Sequence, residues 1–245
     1  MLRELIDRVY PSDLYCICCG KIIDWSRTYR LCDKCIENIN WATGRTCKKC
    51  GKPLSEYNPE ELCFSCRAHR HIYDKGYTCA QYGVNERSIV YSLKYDDRTD
   101  IAKTIGEIMA DRMLAERNEI KYDLIVPVPI TRTKRLTRGY NQAALIAEYL
   151  SLNTGIRYAG EILERVKETT AMKGLAPDER KRNISGSFCI HPLKINEVRD
   201  AKCLLIDDIY TTGATIDEAA RVLKQNGAII VDFISFASGA DMIES

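Results

Sequence analysis

Cysteine spacing constrains this chain more than any other feature of its sequence. Eight cysteines form four C-x-x-C pairs, and these are Cys16 and Cys19, Cys32 and Cys35, Cys47 and Cys50, and Cys63 and Cys66. A shift of 31 residues carries the first two pairs onto the last two, and it carries Gly20-Lys21 onto Gly51-Lys52. One unit, CxxCGK followed by LCxxC, therefore occurs twice. Each copy is too small to build a hydrophobic core alone.

The pairs are typical of metal sites. Two thiolates spaced by two residues can bind an ion from a single tight turn, and two such turns complete the tetrahedral shell that zinc prefers. We predict two structural zinc ions, each bound by two consecutive pairs; a cross-braced arrangement is the alternative. An iron–sulfur cluster or disulfides would use the same thiols. Gly20 and Gly51 directly follow a pair, where we expect a positive φ.

Length and charge limit the remaining possibilities. The 245 residues are 45% hydrophobic, and 36 Lys and Arg stand against 34 Asp and Glu, giving a formal net charge of +2. This balance argues against capture of nucleic acid by the whole surface, so an anion site must be local. The opening residues mix charges among apolar positions and predict neither a signal peptide nor a membrane span. We expect a cytoplasmic protein.

The pattern changes near residue 76, which predicts a metal-binding module at 1–75 and a second domain at 76–245. In the second part, apolar runs alternate with amphipathic stretches, as in a parallel sheet flanked by helices. The predicted strands are 77–83, 123–129, 201–206 and 228–236, and the predicted helices are 85–95, 99–116, 140–151 and 216–227. A basic loop is predicted at 131–139 and a long polar loop at 165–186.

The segment CLLIDDIYTTGAT, from Cys203 to Thr215, indicates an anion site. An apolar strand ends in Asp207 and Asp208, and the next residues lead into a helix whose N-terminus offers free N–H groups. A phosphate there would accept bonds from amides and threonine hydroxyls. The carboxylates suit ribose hydroxyls and can orient Mg²⁺ through its waters. The predicted phosphate-binding residues are Thr211, Thr212, Gly213, Ala214 and Thr215.

This run resembles the signature of type I phosphoribosyltransferases that binds 5-phosphoribosyl 1-pyrophosphate (PRPP). Residues 127–143 and 164–188, with the N-terminal cysteines, resemble the ComF family, whose members are named for DNA uptake in competent bacteria. The likeness covers almost the whole chain, although Tyr140 replaces a usual Phe and Thr170-Ala171-Met172 a more common Pro-Ala-Gln. It implies an α/β type I phosphoribosyltransferase fold, a parallel sheet flanked by helices, preceded by a small double zinc-ribbon module with four cysteines for each ion.

The resemblance also implies roles for charged residues. It places the pyrophosphate loop after residue 129, where the cations Arg132, Lys134, Arg135 and Arg138 can neutralise a pyrophosphate. A solvated basic turn is the alternative. It implies a flexible lid that carries Arg165, Lys173, Arg180, Lys181 and Arg182, and a disordered polar loop is the alternative. The predicted catalytic residues are Asp207, Asp208, Arg165 and Lys173. Lys94 matches a lysine typical of the family, with no assigned chemistry.

Two functions are compatible with these patterns. In the first, a nucleophile such as a nitrogenous base displaces pyrophosphate at C1 of PRPP, with Mg²⁺ and the cations stabilising the departing charge. The zinc ribbons would lean over the sheet near the phosphate site, where this superfamily has a variable hood. In the second, a PRPP-binding competence protein binds single-stranded DNA, with a helicase or channel as partner. Bases would then stack on Trp25, Tyr29 and Trp41, for which packing is the alternative.

Overall fold

The computed structural model describes residues 14–116, 121–168 and 177–241. The cysteine-rich segment contains α1 at Asp33–Asn38 and α2 at Phe64–Ala68. The later elements are β1 Gly76–Gln81, α3 Val84–Tyr95, α4 Ile101–Ala115, β2 Leu124–Pro127, α5 Arg132–Arg138, α6 Gln142–Thr154, β3 Arg157–Tyr158, β4 Leu163–Arg165, α7 Pro177–Ile184, β5 Phe188–Ile190, α8 Ile195–Val198, β6 Lys202–Tyr210, α9 Ala214–Gln225 and β7 Ile230–Ser238.

Five strands form one parallel sheet in the order β1-β7-β6-β2-β3. Its central strands are continuous apolar runs because both faces of the sheet are covered. β6, for example, carries Cys203, Leu204, Leu205 and Ile206 with no exposed surface. In a parallel sheet the carboxyl ends of the strands meet at one edge. The chain therefore leaves β2 and β6 side by side, with Pro127 paired to Ile206.

Alternate residues of the sheet pack into two hydrophobic clusters. Leu204 and Ile234 belong to the cluster that contains residues of α3, α4 and α6. Leu205 and Phe233 belong to the cluster that contains residues of α9 and of the antiparallel pair β4–β5. The sheet thus lies between two layers, as the predicted α/β fold requires.

The cysteine-rich segment straddles the edge strand β1. Residues of its first repeat, including Ile17 and Leu31, join the α3–α4 cluster, whereas Cys47 and Cys50 of the second repeat join the α9 cluster. Between the repeats, Trp41 forms an antiparallel bridge with Ala80 of β1. This arrangement covers a strand edge that would otherwise expose unpaired backbone groups.

Three local expectations were wrong. The basic stretch at 131–139 is the helix α5, which begins after Thr131, whose hydroxyl accepts a hydrogen bond from the Lys134 N–H at 3.3 Å. The polar stretch at 165–186 contains the helix α7, because Lys, Arg and Glu support a helix without apolar periodicity. β6 continues to Tyr210, past the two aspartates at which the strand was expected to end.

None of the helices in the described part of the chain combines the length and the apolar character needed to cross a membrane.

Candidate functional site

The eight paired cysteines form two tetrads. Cys16, Cys19, Cys32 and Cys35 make the first, and Cys47, Cys50, Cys63 and Cys66 make the second. Within each tetrad all Sγ atoms lie within 4.8 Å of one another. The Sγ atoms of Cys19 and Cys32 are 3.8 Å apart, and those of Cys50 and Cys63 are 3.7 Å apart. Four sulfurs at about 2.3 Å from one tetrahedral zinc ion would be about 3.8 Å apart. The tetrads therefore fit zinc, in the sequential rather than the cross-braced arrangement.

The glycine after each first pair has the expected backbone. Gly20 and Gly51 both have a φ of +72°. At Gly51 there is a second constraint, because a Cβ atom would lie 2.6 Å from the Gly76 carbonyl oxygen of β1. The second tetrad can approach the edge strand this closely only with glycine at that position.

The predicted phosphate-binding residues, Thr211–Thr215, form the turn between β6 and α9, which we call the phosphate loop. Together with Asp207 and residues 209, 210 and 216, they line one cavity at the carboxyl edge of the sheet. Gly213 lies directly before α9 with a φ of +85°. A Cβ atom there would be 2.8 Å from the Tyr210 hydroxyl oxygen, so a side chain would displace the loop. The loop, the helix N-terminus and one carboxylate thus share one concave surface.

The structure separates the two aspartates. Asp207 lines the cavity and is half-buried. Asp208 is 3% exposed and points away from the cavity into the protein. There it forms an ion pair with Lys94 and accepts a hydrogen bond from Gln142 Nε2 at 3.1 Å. Successive residues of a strand point to opposite faces, which explains why adjacent acids have different surroundings.

A chain of polar contacts connects Asp208 to the protein surface. Gln142 Oε1 accepts a hydrogen bond from Arg138 at 3.1 Å, and Arg138 also donates to the Tyr95 hydroxyl at 3.0 Å. The Arg138 guanidinium lies over the Tyr95 ring, 4.9 Å from its centroid. This chain connects α3, α5 and α6 to the end of β6.

Burial and charge set the ionisation of the acid pair. Burial raises the pKa of Asp207 to about 8, and the Asp208 carboxylate adds to this rise. Burial would also raise the pKa of Asp208, but the charge of Lys94 and hydrogen bonds from Lys94 and Gln142 lower it below its ordinary value. Asp208 is therefore the charged member of the pair near neutral pH, and Asp207 holds a proton more readily.

Comparison with known families decides what kind of domain carries this site. The model of the phosphoribosyl transferase domain matches residues 93–242, more than half of the chain. The chain belongs to the phosphoribosyl transferase domain family. A second family model, the double zinc ribbon domain, matches residues 5–67, which contain both tetrads. The predicted fold class, a phosphoribosyltransferase sheet preceded by a double zinc ribbon, is confirmed.

Curated relatives agree with the predicted ComF resemblance. Competence protein F of Haemophilus influenzae is 28% identical over 200 residues, covering 80% of this chain and 85% of the relative. Competence protein ComFC of Bacillus subtilis is 28% identical over 233 residues, covering 87% and 90%. DNA utilization protein YhgH of Escherichia coli K12 is 27% identical over 188 residues, covering 76% and 80%. The resemblance to the ComF family is confirmed by these homologues.

Similar solved structures include two enzymes. One is the allosteric regulatory enzyme of purine biosynthesis, with 19% identity and a TM-score of 0.37 over 59% of this chain and 29% of that chain. The other is the glutamine PRPP amidotransferase of B. subtilis, with 18% identity and a TM-score of 0.38 over 59% and 30%. The chain thus spans less than a third of the length of either enzyme.

The cations of α5 lie on two sides of the helix. The charges of Arg165, Arg138 and Lys94 act on Lys134, whose pKa is lowered by burial and then by these neighbours. Arg138 reaches Asp208 through Gln142, and Lys134 lies one helical turn from Arg138 on the same side of α5. We group these two with Lys94, which pairs with Asp208, and with Arg165 as the cationic cluster. Arg132 and Arg135 line a second cavity beside β3, which Arg165 also lines. The predicted set of four cations does not converge on one point.

The predicted lid residues are only partly described. Arg165, at the end of β4, lies with its guanidinium 5.3 Å from the centre of the Phe188 ring. Burial lowers its pKa, and the charges of Glu168 and then of Asp207 oppose this effect. Arg182, in α7, is exposed. Lys173 and the side chains of Arg180 and Lys181 lie outside the described part of the structure.

Two of the three aromatic residues considered for base stacking are used in packing. Trp41 donates its ring N–H to the Ile36 carbonyl at 2.9 Å, and its ring centroid lies 5.7 Å from that of Tyr29. Tyr29 donates its hydroxyl to Asp111 at 2.7 Å. Trp25 alone of the three is open to solvent, with 83% of its surface exposed.

Proposed function

We propose that the chain binds PRPP together with Mg²⁺ and transfers its phosphoribosyl group to an acceptor, with release of pyrophosphate. The proposal rests on the shared cavity of Asp207 and the phosphate loop, together with cations bound to the neighbouring acid: Lys94 pairs with Asp208, and Arg138 reaches it through Gln142. A cavity with hydroxyls, free amides and a carboxylate, with cations beyond the acid pair, matches a ligand with a phosphate, a diol and a pyrophosphate.

The 5-phosphate of the ligand would occupy the phosphate loop. Backbone N–H groups at the start of α9 and the hydroxyls of Thr211, Thr212 and Thr215 supply donors there, and the helix dipole favours the negative charge. Asp207 would accept hydrogen bonds from the ribose hydroxyls. Asp208 cannot serve the ribose in the same way, because Lys94 and Gln142 already occupy its oxygens. We propose that it holds Lys94 and Gln142 in place instead.

Pyrophosphate release would depend on electrostatic stabilisation. As the bond between C1 and the pyrophosphate oxygen breaks, negative charge grows on the leaving group. Lys134, Arg138 and Arg165 would stabilise this charge. Asp207 forms no ion pair among the described residues, and a bound Mg²⁺ would favour its ionised form, which could hold the ion through water. When bound, Mg²⁺ would neutralise part of the pyrophosphate charge. An acceptor nucleophile would attack C1 from the opposite side.

The proposal is tested by measuring pyrophosphate release from PRPP and Mg²⁺ with a panel of nitrogenous bases. We expect release with at least one base, and a loss of at least about 100-fold in Asp207→Asn, a size typical of a removed charge at a reacting centre. If calorimetry shows PRPP binding but no base gives pyrophosphate release, the proposed binding would stand and the proposed transfer would not.

A second candidate function is single-stranded DNA binding, because curated relatives are named for competence and DNA utilization. It would use exposed Trp25, since Tyr29 and Trp41 are half-buried and engaged in hydrogen bonds and in contact with each other. A DNA affinity that falls steeply with salt and drops in Trp25→Ala would favour this function. A weak affinity that Trp25→Ala leaves unchanged would exclude it.

We also propose to divide the chain into a double zinc ribbon at 1–75 and a phosphoribosyltransferase-type domain at 76–245, and we propose a cytoplasmic location. A role for Lys173 in catalysis stays a prediction.

A further inference from the structure

The segment that connects the second tetrad to the sheet contacts the phosphate loop from behind. We call residues 71–73 the linker. Nδ1 of His71 lies 2.7 Å from Asp217 Oδ2, and the Ile72 N–H donates to Asp217 Oδ1 at 2.7 Å. An ionised carboxylate only accepts hydrogen bonds, so Nδ1 carries the proton in this pair. The Asp217 carboxylate thus binds two consecutive residues of the linker.

Asp217 also closes the first turn of α9. Its N–H donates to the Gly213 carbonyl at 2.7 Å. The His71 ring faces the same glycine, because a Cβ atom at Gly213 would lie 2.9 Å from His71 Cε1. The residue that holds the linker is therefore the residue that shapes the turn after the phosphate loop.

The linker holds the other end of the phosphate loop as well. The hydroxyl oxygens of Tyr73 and Tyr210 are 2.7 Å apart, and both residues are buried. Tyr210 is the last residue of β6 and stacks on Phe233 with 4.7 Å between ring centroids. Tyr73 stacks on His71 with 4.9 Å between centroids. The linker therefore fixes Tyr210 before the loop and Asp217 after it.

His71 acts from behind the loop rather than from the ligand side. Its side chain is 2% exposed, and the cavity in front of the loop is lined by Asp207 and residues 209–216. Nε2 of His71 has no hydrogen-bond partner among the described residues. The hydrogen bond between Nδ1 and Asp217 therefore orients the ring. Loss of this contact would leave the Asp217 carboxylate with one fewer donor.

We propose that His71 is a positioning residue for the phosphate loop, and that through it metal binding at the second tetrad is coupled to sugar phosphate binding. A metal ion that holds Cys63 and Cys66 also restricts the linker, which follows them closely in the chain. Such coupling is reciprocal, so a ligand that orders the loop must raise the metal affinity of this tetrad by the same factor. The choice of a sugar phosphate as ligand rests on the proposed function, whereas the contact between the linker and the phosphate loop does not.

The test compares His71→Ala with His71→Asn, whose amide can still donate to Asp217, and with His69→Ala, which removes an exposed histidine beside the linker. Amide hydrogen exchange of residues 211–217 is measured without ligand, ribose 5-phosphate affinity by calorimetry, and zinc content by mass spectrometry. We expect His71→Ala to exchange about tenfold faster and to bind about tenfold more weakly, as loss of a charge-assisted hydrogen bond predicts. His71→Asn should stay within about threefold of wild type in both exchange rate and affinity, and His69→Ala should equal wild type in both.

Wild-type exchange and affinity in a His71→Ala protein that keeps its zinc would overturn the proposal. If His71→Ala fails to fold, Asp217→Asn provides the same comparison, because it weakens the contact from the other side. If wild type binds no ribose 5-phosphate, the proposed function fails, and the exchange rates still decide whether the linker orders the loop.

Equilibrium competition with a zinc chelator tests the coupling. Saturating ribose 5-phosphate should raise the affinity for one of the two zinc ions in wild type and not in His71→Ala. Equal zinc affinities with and without the ligand in wild type would refute the coupling.

Discussion

Lys94, in the last turn of α3, forms an ion pair with Asp208, two residues before the end of β6. Both side chains are largely buried, and Gln142 supplies a further hydrogen bond to the same carboxylate. The pair joins two elements that are far apart in sequence. Asp208 thus contacts α3 and α6, whereas the preceding residue, Asp207, faces the cavity.

The first prediction concerns the stability of this ion pair. Lys94→Met leaves a buried carboxylate with only one donor, so the free energy of unfolding should fall by about 3 kcal/mol. In the double variant Lys94→Met, Asp208→Asn the two losses should not add, because the second change removes the uncompensated charge. Urea unfolding measures both. The control is Lys103→Met, at an exposed lysine of α4, with an expected change below about 0.5 kcal/mol. Additive losses in the double variant would show that the two residues do not interact.

The second prediction follows from the raised pKa of Asp207. The folded chain holds the Asp207 proton up to a pKa of about 8, whereas the ordinary value is 3.8. Between these values the folded state binds more protons than the unfolded state, so this residue makes stability fall as pH rises. Wild type should therefore lose stability relative to Asp207→Asn from about pH 5 to about pH 8. Urea unfolding at several pH values measures this difference, and parallel curves for the two proteins would contradict the assignment.

The third prediction separates the two faces of α5. Lys134→Ala with Arg138→Ala should weaken binding of pyrophosphate with Mg²⁺ by at least about tenfold, because both cations belong to the cluster around the acid pair. Arg132→Ala with Arg135→Ala removes the same charge from the same helix, but from the second cavity, and should cost less than about threefold. Calorimetry measures both. Equal losses would mean that net charge, rather than position, determines binding.

The fourth prediction concerns the tetrads. Wild type should contain two zinc ions per chain, and Cys50→Ser should lower this number to one, because three thiolates bind zinc far more weakly than four. Cys18→Ser is the matched control, since Cys18 lies between two members of the first tetrad without belonging to it. Mass spectrometry of the purified proteins counts the metal. Loss of zinc in Cys18→Ser equal to that in Cys50→Ser would contradict the assignment.

Features whose residues are close together along the chain could be predicted from the sequence. The strand, acid pair and loop around Thr211–Thr215 follow one another along the chain, so their order alone places them at a strand end and a helix N-terminus. The tetrads were predictable for the same reason, because each ligand pair lies within one turn.

Other features depend on contacts between distant segments. Nothing near Asp208 in sequence indicates that Lys94 takes its carboxylate, since that depends on how α3 packs against the sheet. The different positions of Lys134 and Arg135 follow from a short helix that the basic composition did not indicate. The contact between His71 and Asp217 requires the second repeat to lie on the α9 side of the sheet, which no local pattern encodes.

The proposed function requires that a sugar phosphate bind at the phosphate loop, and we claim that it does; calorimetry with ribose 5-phosphate measures this binding. Gly213 and Gly155 both have positive φ, at +85° and +72°, but only at Gly213 would a Cβ atom meet neighbouring atoms. Alanine at either position should cost about 1 kcal/mol of stability through backbone strain. We predict that wild type and Gly155→Ala bind ribose 5-phosphate equally and that Gly213→Ala binds at least about tenfold more weakly. Equal affinity in Gly213→Ala, or no binding by wild type, would contradict the claim.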